Sequence, residues 1–196
     1  MLVLGSLELL FLEYLAEFLY PGYSVSLNYI SDLGVGPDPS RTIFTAGIIV
    51  FGVLATVSVY LRGGPAWEVP ILVALCGAGT IGVGVFDENW GTVHLVFAGL
   101  AFGVGSLAAL VSARTVKGPL SILFASLGAI GLIALGLQAT GTFMGLGAGG
   151  MERMIYYPAI LWVLIYGIYL MSIEKCRKVV HAQQSPAPST TPTLGP

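Results

Sequence analysis

Thr92-Val-His94-Leu-Val-Phe-Ala-Gly-Leu-Ala-Phe-Gly-Val-Gly-Ser-Leu-Ala-Ala-Leu-Val-Ser-Ala113 is the stretch on which the reading of this chain turns. A helix needs about 20 mostly apolar residues to cross the hydrocarbon core of a bilayer. This run meets that length, and its one ionisable side chain is His94. It is too long for a buried strand and longer than most buried core helices. The run reads as a membrane-spanning helix with a single titratable group about one turn inside it.

The same pattern recurs on both sides. Residues 42–61, 67–86, 120–140 and 154–173 are comparable apolar runs, and 1–20 is a sixth, interrupted by Glu8, Glu13 and Glu17. Between them lie Pro21 to Arg41, Arg62-Gly-Gly-Pro, Asp87-Glu-Asn-Trp-Gly, Arg114-Thr-Val-Lys-Gly-Pro and the glycine-rich 141–150, all turn-forming. A β-barrel would need many alternating segments of about 10 residues, and the long unbroken runs argue against it. Composition agrees: 56% of the residues are hydrophobic and 9% charged, where soluble domains carry about 25% charged residues. The expected fold class is an all-α membrane protein, a six-transmembrane-helix bundle over residues 1–173. A basic and then disordered tail follows at 174–196, since its Ser/Pro/Thr-rich end has almost nothing apolar to bury. The first span lacks a basic n-region and is expected to stay on the chain.

Orientation follows from the distribution of Lys and Arg in short loops. Arg62, Arg114, Lys117, Lys175, Arg177 and Lys178 fall on the side of the N-terminus, against Arg41 and Arg153 on the other. Both termini are therefore expected in the cytoplasm, and the protein in the cell membrane as a multi-pass component. Tyr20, Tyr23, Trp90, Tyr156 and Tyr157 would mark the outer interface, and Tyr60, Trp67 and Tyr169 the inner one. With a net charge of -2 and no long basic stretch, the chain offers nothing to track a phosphate backbone, so no nucleic-acid partner is expected. Cys76 and Cys176 form no disulfide framework.

This topology brings Glu17, Asp32, Asp38, Arg41, Asp87, Glu88, His94, Glu152 and Arg153 to the non-cytoplasmic end of the bundle. Ionisable groups inside a membrane domain are costly and mark sites or helix-helix ties. His94 is the sharpest: it suits a general base, a proton carrier or a metal ligand, or a structural tie to a neighbouring carboxylate. A metal would need three or four ligands, for which His94 with Asp32 or Asp87 is the starting set; no spacing motif demands one. Glu152-Arg153 opens the last helix. Its arginine suits a phosphate or carboxylate headgroup, or else ties down Asp32 or Asp87 in the loops. Asn28-Tyr-Ile-Ser-Asp32-Leu-Gly lies in a loop of about 20 residues, a length usually functional. Its mixture of Ile30, Leu33 and Val35 with polar groups predicts a lid folded over the bundle mouth. Gly77-Ala-Gly-Thr-Ile-Gly82 matches a dinucleotide fingerprint but has no strand before it. These glycines, and the Gly99/Gly103 pair, are read as allowing close helix packing.

Tyr20-Pro-Gly-Tyr-Ser-Val-Ser-Leu-Asn-Tyr-Ile-Ser-Asp-Leu-Gly34, Gly91-Thr-Val-His-Leu-Val-Phe-Ala98 and Gly149-Gly-Met-Glu-Arg153 together resemble an archaeal and bacterial membrane family catalogued as domain of unknown function nine-nine-eight. The resemblance runs to about Lys175. It implies a six-helix bundle with the first loop, His94 and Glu152-Arg153 as hallmarks, and supplies no reaction. Tyr29-Ile-Ser-Asp-Leu-Gly34 is also distantly similar to the first lumenal loop of Frag/DRAM/Sfk-type membrane proteins, some of which take part in lipid remodelling or organisation.

The leading expectation is a lipid-handling protein, a hydrolase or acyl transferase, with membrane lipid as partner. His94, Asp32, Asp87 and Glu152 would be catalytic, with Asp32 and Asp87 as the carboxylates that orient His94, and Arg153, Asn28, Ser31, Arg41 and Glu17 would bind substrate. The competing class is a transporter or small-ligand binder using Glu13, Glu17 and His94 as a protonatable path. A third is a purely structural membrane subunit. The sequence names no cofactor and no oligomeric state.

Overall fold

The computed structural model describes residues 1–60 and 68–184. Arg62, Trp67 and the tail from residue 185 on lie outside the described residues, as do the side chains of Tyr60 and His181. The described chain forms six α-helices: α1 Leu2–Leu19, α2 Ser40–Tyr60, α3 Glu68–Val85, α4 Thr92–Ser112, α5 Pro119–Ala139 and α6 Gly147–Gln184. Two 3-10 turns, Ser31–Gly34 and Glu88–Trp90, sit in the connections, and no strand occurs among the described residues. Helices α2 to α6 are each long and apolar enough to cross a membrane. The fold is thus all-helical, with five such helices and α1 beside them. α6 continues past Ile173 to Gln184 as one helix.

Each helix packs on its chain neighbours, and α6 closes the ring by packing on α1 as well as α4 and α5. Small residues set the closest approaches, as expected where lipid on both sides removes the hydrophobic drive between helices. A Cβ on Gly77 of α3 would lie 2.7 Å from the Gly52 carbonyl of α2. Gly99 of α4 departs from that expectation: a Cβ there would meet nothing within 4 Å, so it borders open space and leaves the packing to others. Trp162 of α6, fully buried, donates its indole N–H to Ser112 Oγ of α4 at 2.8 Å. Satisfying that polar edge inside an apolar bundle fixes the rotation of α6 against α4.

α1 shows why three glutamates fit in this arrangement. Leu2, Gly5, Ser6, Leu9, Glu13 and Ala16 are buried, a stripe at helical spacing that faces α2 and α6. Leu4, Leu7, Phe11, Tyr14 and Phe18 form the opposite stripe and are exposed. Large apolar side chains cover the outward face while Glu13 joins the inward stripe, which is the reverse of a helix lying on a water-soluble core.

The loop between α1 and α2 covers one end of the ring. Ile30 and Leu33 are buried against Phe44 and the core, which seats the Ser31–Gly34 turn in the mouth. The Glu88–Trp90 turn and the α5–α6 connection lie at the same end.

Candidate functional site

The site is built around the start of α6, where the first loop is fastened. Gly149 N–H donates to the Ser26 carbonyl at 2.9 Å, and Ser26 Oγ donates to the Leu146 carbonyl at 2.7 Å. A Cβ on Gly149 would lie 1.8 Å from the Asn28 carbonyl oxygen, so only glycine lets the loop backbone come this close. One turn later Arg153, 5% exposed, reaches into the same loop. Its Nη1 donates to the carbonyls of Val25 (2.9 Å), Asn28 (3.2 Å) and Gly149 (3.0 Å). Its Nη2 donates to Tyr23 Oη at 2.8 Å and to the Glu17 carboxylate of α1. Tyr23 passes the chain on by donating to the Tyr29 carbonyl at 2.8 Å, and burial pushes its hydroxyl well above the usual tyrosine range. Arg153 therefore ties α1, α6 and the loop together. Its ion-pair partner is Glu17, where the sequence reading offered Asp32 or Asp87.

With the loop fixed, its next residues face a set of carboxylates. Ile30 N–H donates to the Glu152 carboxylate, and Ser31 Oγ lies 3.3 Å from the same group while also bonding Glu88. A serine has one hydroxyl proton, so both contacts are hydrogen bonds only when one of the two carboxyls carries a proton. Glu88 is disposed to hold it. Burial raises its carboxyl to about 7, Ser31 opposes that shift, and the nearby Asp32 and Asp87 add to it. Asp32 accepts from Asn28 Nδ2 at 2.8 Å and from Tyr29 N–H at 3.0 Å.

His94, 6% exposed, enters from α4. Its Nδ1 lies 2.8 Å from the Phe86 carbonyl. A carbonyl only accepts, so Nδ1 carries the proton and Nε2 of the neutral ring presents a lone pair. The Phe86 ring is itself held, stacked on Phe97 at 5.2 Å and edge-on to Trp90 at 5.1 Å. The orienting group for His94 is thus a backbone carbonyl at the end of α3, in place of the Asp32 or Asp87 carboxylate anticipated from sequence.

These groups border a cleft of about 560 Å³ between α4, α5 and the start of α6. Ser31, Asp32, Glu88, His94 and Glu152 line its polar end, while Leu95, Ala98, Phe102, Leu135 and Ile155 form its apolar walls. A second, narrower space of about 60 Å³ also touches Ser31, His94 and Glu152 and continues among apolar side chains. Of the residues singled out from sequence, Glu17, Asn28 and Arg153 stand behind the cleft as the loop's fastening. Two stand apart. Arg41 is exposed and paired with Asp38 at 2.5 Å, and Asp87 caps the Glu88–Trp90 turn by accepting from Asn89 N–H at 3.0 Å. Among the described residues no group of three or more His, Cys, Asp or Glu is placed to hold a metal ion.

Glu88, Tyr29 and Gln138 line the cleft without having been chosen as site residues. Glu88 had a signal, a carboxylate at the right membrane end, but nothing in sequence separates it from Asp87 next door. Gln138 had none beyond being a polar residue near the end of an apolar run.

No curated protein and no solved structure matches the chain. The family described as protein of unknown function (DUF998) matches residues 3–169, a range that holds every cleft residue and the whole loop fastening. The chain belongs to the DUF998 family.

Proposed function

We propose that the chain crosses the cell membrane six times, with both termini in the cytoplasm, and handles a lipid at the opposite face. α1 counts as the sixth span because its outward stripe is apolar and Glu13 faces the bundle. The orientation rests on the excess of Lys and Arg at the end away from the cleft, including Arg114 and Lys117 in the α4–α5 connection. The observation that carries the lipid reading is the cleft itself. Polar groups gather at one end of it, and apolar walls run down from them between two candidate membrane spans. A soluble metabolite has no use for such walls; an amphiphile matches both halves.

On this reading His94, which lines the cleft, carries the chemistry. A headgroup hydroxyl or water attacking an acyl carbonyl would give its proton to Nε2, and His94 would return it to the leaving alkoxide. Lipid mass spectrometry on vesicles containing the purified protein tests this. The wild type should convert or release a lipid, and His94→Ala should slow conversion by about 10²–10⁴-fold, the usual worth of a positioned general base. An unchanged lipid profile with no co-purifying lipid would sink the reading. The transporter alternative draws on Glu13, which is fully buried on α1 beside Tyr157 (3.5 Å) with one carboxyl oxygen unpartnered. It predicts pH-driven uptake into vesicles that Glu13→Gln abolishes.

A further inference from the structure

The chemistry of the cleft lining narrows what kind of head it takes. The polar lining is richer in acceptors than in donors: three carboxyl groups, His94 and the Gln138 carbonyl stand against the Tyr29 hydroxyl and the Gln138 amide N–H, both uncharged. Ser31 gives its one proton to a carboxylate, the Asn28 amide and the Tyr29 backbone N–H give theirs to Asp32, and His94 gives Nδ1–H to Phe86. Asp32 and Glu88 lie close enough to share the Glu88 proton, and what remains toward the cleft is Nε2 of the neutral His94 ring and Gln138 Oε1. That last atom is buried and has no partner among the described residues. No Lys or Arg lines the cleft. Arg153, the one guanidinium close by, is turned to Glu17, Tyr23 and the loop carbonyls. Three carboxyl groups, one of them holding a proton, and no cation oppose an anionic head and favour one that brings protons and positive charge.

The apolar half has a way out to the side. Leu95 is 68% exposed, and Gly99 and Ala139, which also border the cleft, are exposed on the outer surface of α4 and α5. A chain attached to a head among Glu88, Glu152 and His94 would leave here, into the level of the membrane.

We propose that the cleft's ligand is an amphiphile with a hydrogen-bond-donating head, an ammonium in preference to a hydroxyl, and that an exposed phosphate head is rejected. This rests on the lipid reading above and adds the class of head and its sideways entry between α4 and α5.

The test uses the full chain in vesicles of zwitterionic phosphatidylcholine, with a diazirine-bearing dodecylamine as photolabel and peptide mapping of the product. Labelling is expected on the α4 and α5 segments that border the cleft. Unlabelled dodecylamine should compete at least tenfold more strongly than dodecyl phosphate, with dodecanol in between. Short-chain ethanolamine should not compete. Glu88→Gln, which keeps an acceptor for Ser31, should shrink the amine-over-phosphate preference. Gly99→Phe, placed where a side chain meets open space, should block labelling.

Equal or stronger competition by dodecyl phosphate would overturn the head-group assignment while leaving a lipid site standing. Competition by ethanolamine as strong as by dodecylamine would mean a soluble ligand and overturn the sideways entry and the lipid reading together. Absence of any cleft labelling would overturn the lipid reading. Labelling indifferent to both Glu88→Gln and Gly99→Phe would mean bilayer partitioning only, and would overturn the proposal.

Discussion

Removing the Arg153 guanidinium strands a carboxylate and the two loop carbonyls of Val25 and Asn28 at once. Breaking a buried ion pair by deleting one partner costs about 3–5 kcal/mol, and here Glu17 would be left in an apolar setting. Arg153→Ala should therefore lower the unfolding midpoint in mild detergent strongly, and Glu17→Gln should lower it less, since a neutral amide still accepts from Arg153. Equal midpoints for Arg153→Ala and wild type would refute the fastening role. Glu88 makes a separate prediction at the same scale. Its folded carboxyl, raised from 4.5 to about 7 mainly by burial, holds a proton that the unfolded chain has already released between those values. Its contribution to stability is fully present below about pH 4.5 and is lost as pH rises to about 7. Glu88→Gln should flatten that part of the curve and gain stability relative to wild type at pH 8, checked by thermal melts at pH 5 and pH 8. At this scale much of the site was legible. His94, Glu152 and Arg153 announce themselves because ionisable groups in apolar runs are costly unless used. Their partners did not, because Glu17 lies far from Arg153 in sequence and only helix packing pairs them.

Gly149 and Gly99 show how the same residue type does opposite work in two elements. At the start of α6, Gly149 lets the loop carbonyls approach, and Gly149→Ala places a methyl 1.8 Å from the Asn28 oxygen. Overpacking of this kind costs about 1–3 kcal/mol. Gly99→Ala on α4 should be neutral within about 0.5 kcal/mol, as expected for a surface change that meets nothing. Equilibrium unfolding of the two variants checks both, and an equal loss would mean that the loop gives way instead. The loop's role as a cover could be read from Ile30 and Leu33 among polar neighbours, since apolar residues in a long connector need somewhere to be buried. The use of Gly99 was not legible, because a glycine pair four apart looks alike whether a neighbouring helix fills the gap or leaves a cleft beside it. Most helix ends lie within two residues of the expected ones, while α6 starts 7 residues earlier than expected and ends 11 later, for an ordinary reason: hydropathy marks where lipid would be, while hydrogen bonding lets α6 run on to Gln184.

For the whole molecule, apolar length set the architecture and charge asymmetry its expected direction. Cys76 is buried and Cys176 exposed, so the native chain carries one thiol available as a reporter. A membrane-impermeant maleimide should label Cys176 only after cells are permeabilised, whereas Ser24→Cys in the first loop should label in intact cells. Both labelling from one side would exclude six crossings. The pairing of Glu17 with Arg153 also bears on the order in which the protein is made. The carboxylate that burdens the first helix finds its counter-ion on the last, so α1 leaves the ribosome long before the residue that neutralises it exists. A nascent chain halted after α5 should hold α1 loosely at the membrane surface, open to protease. Completion of α6 should then draw it in, so that on the six-span reading the synthesis of the last helix would be the moment at which the first enters the membrane.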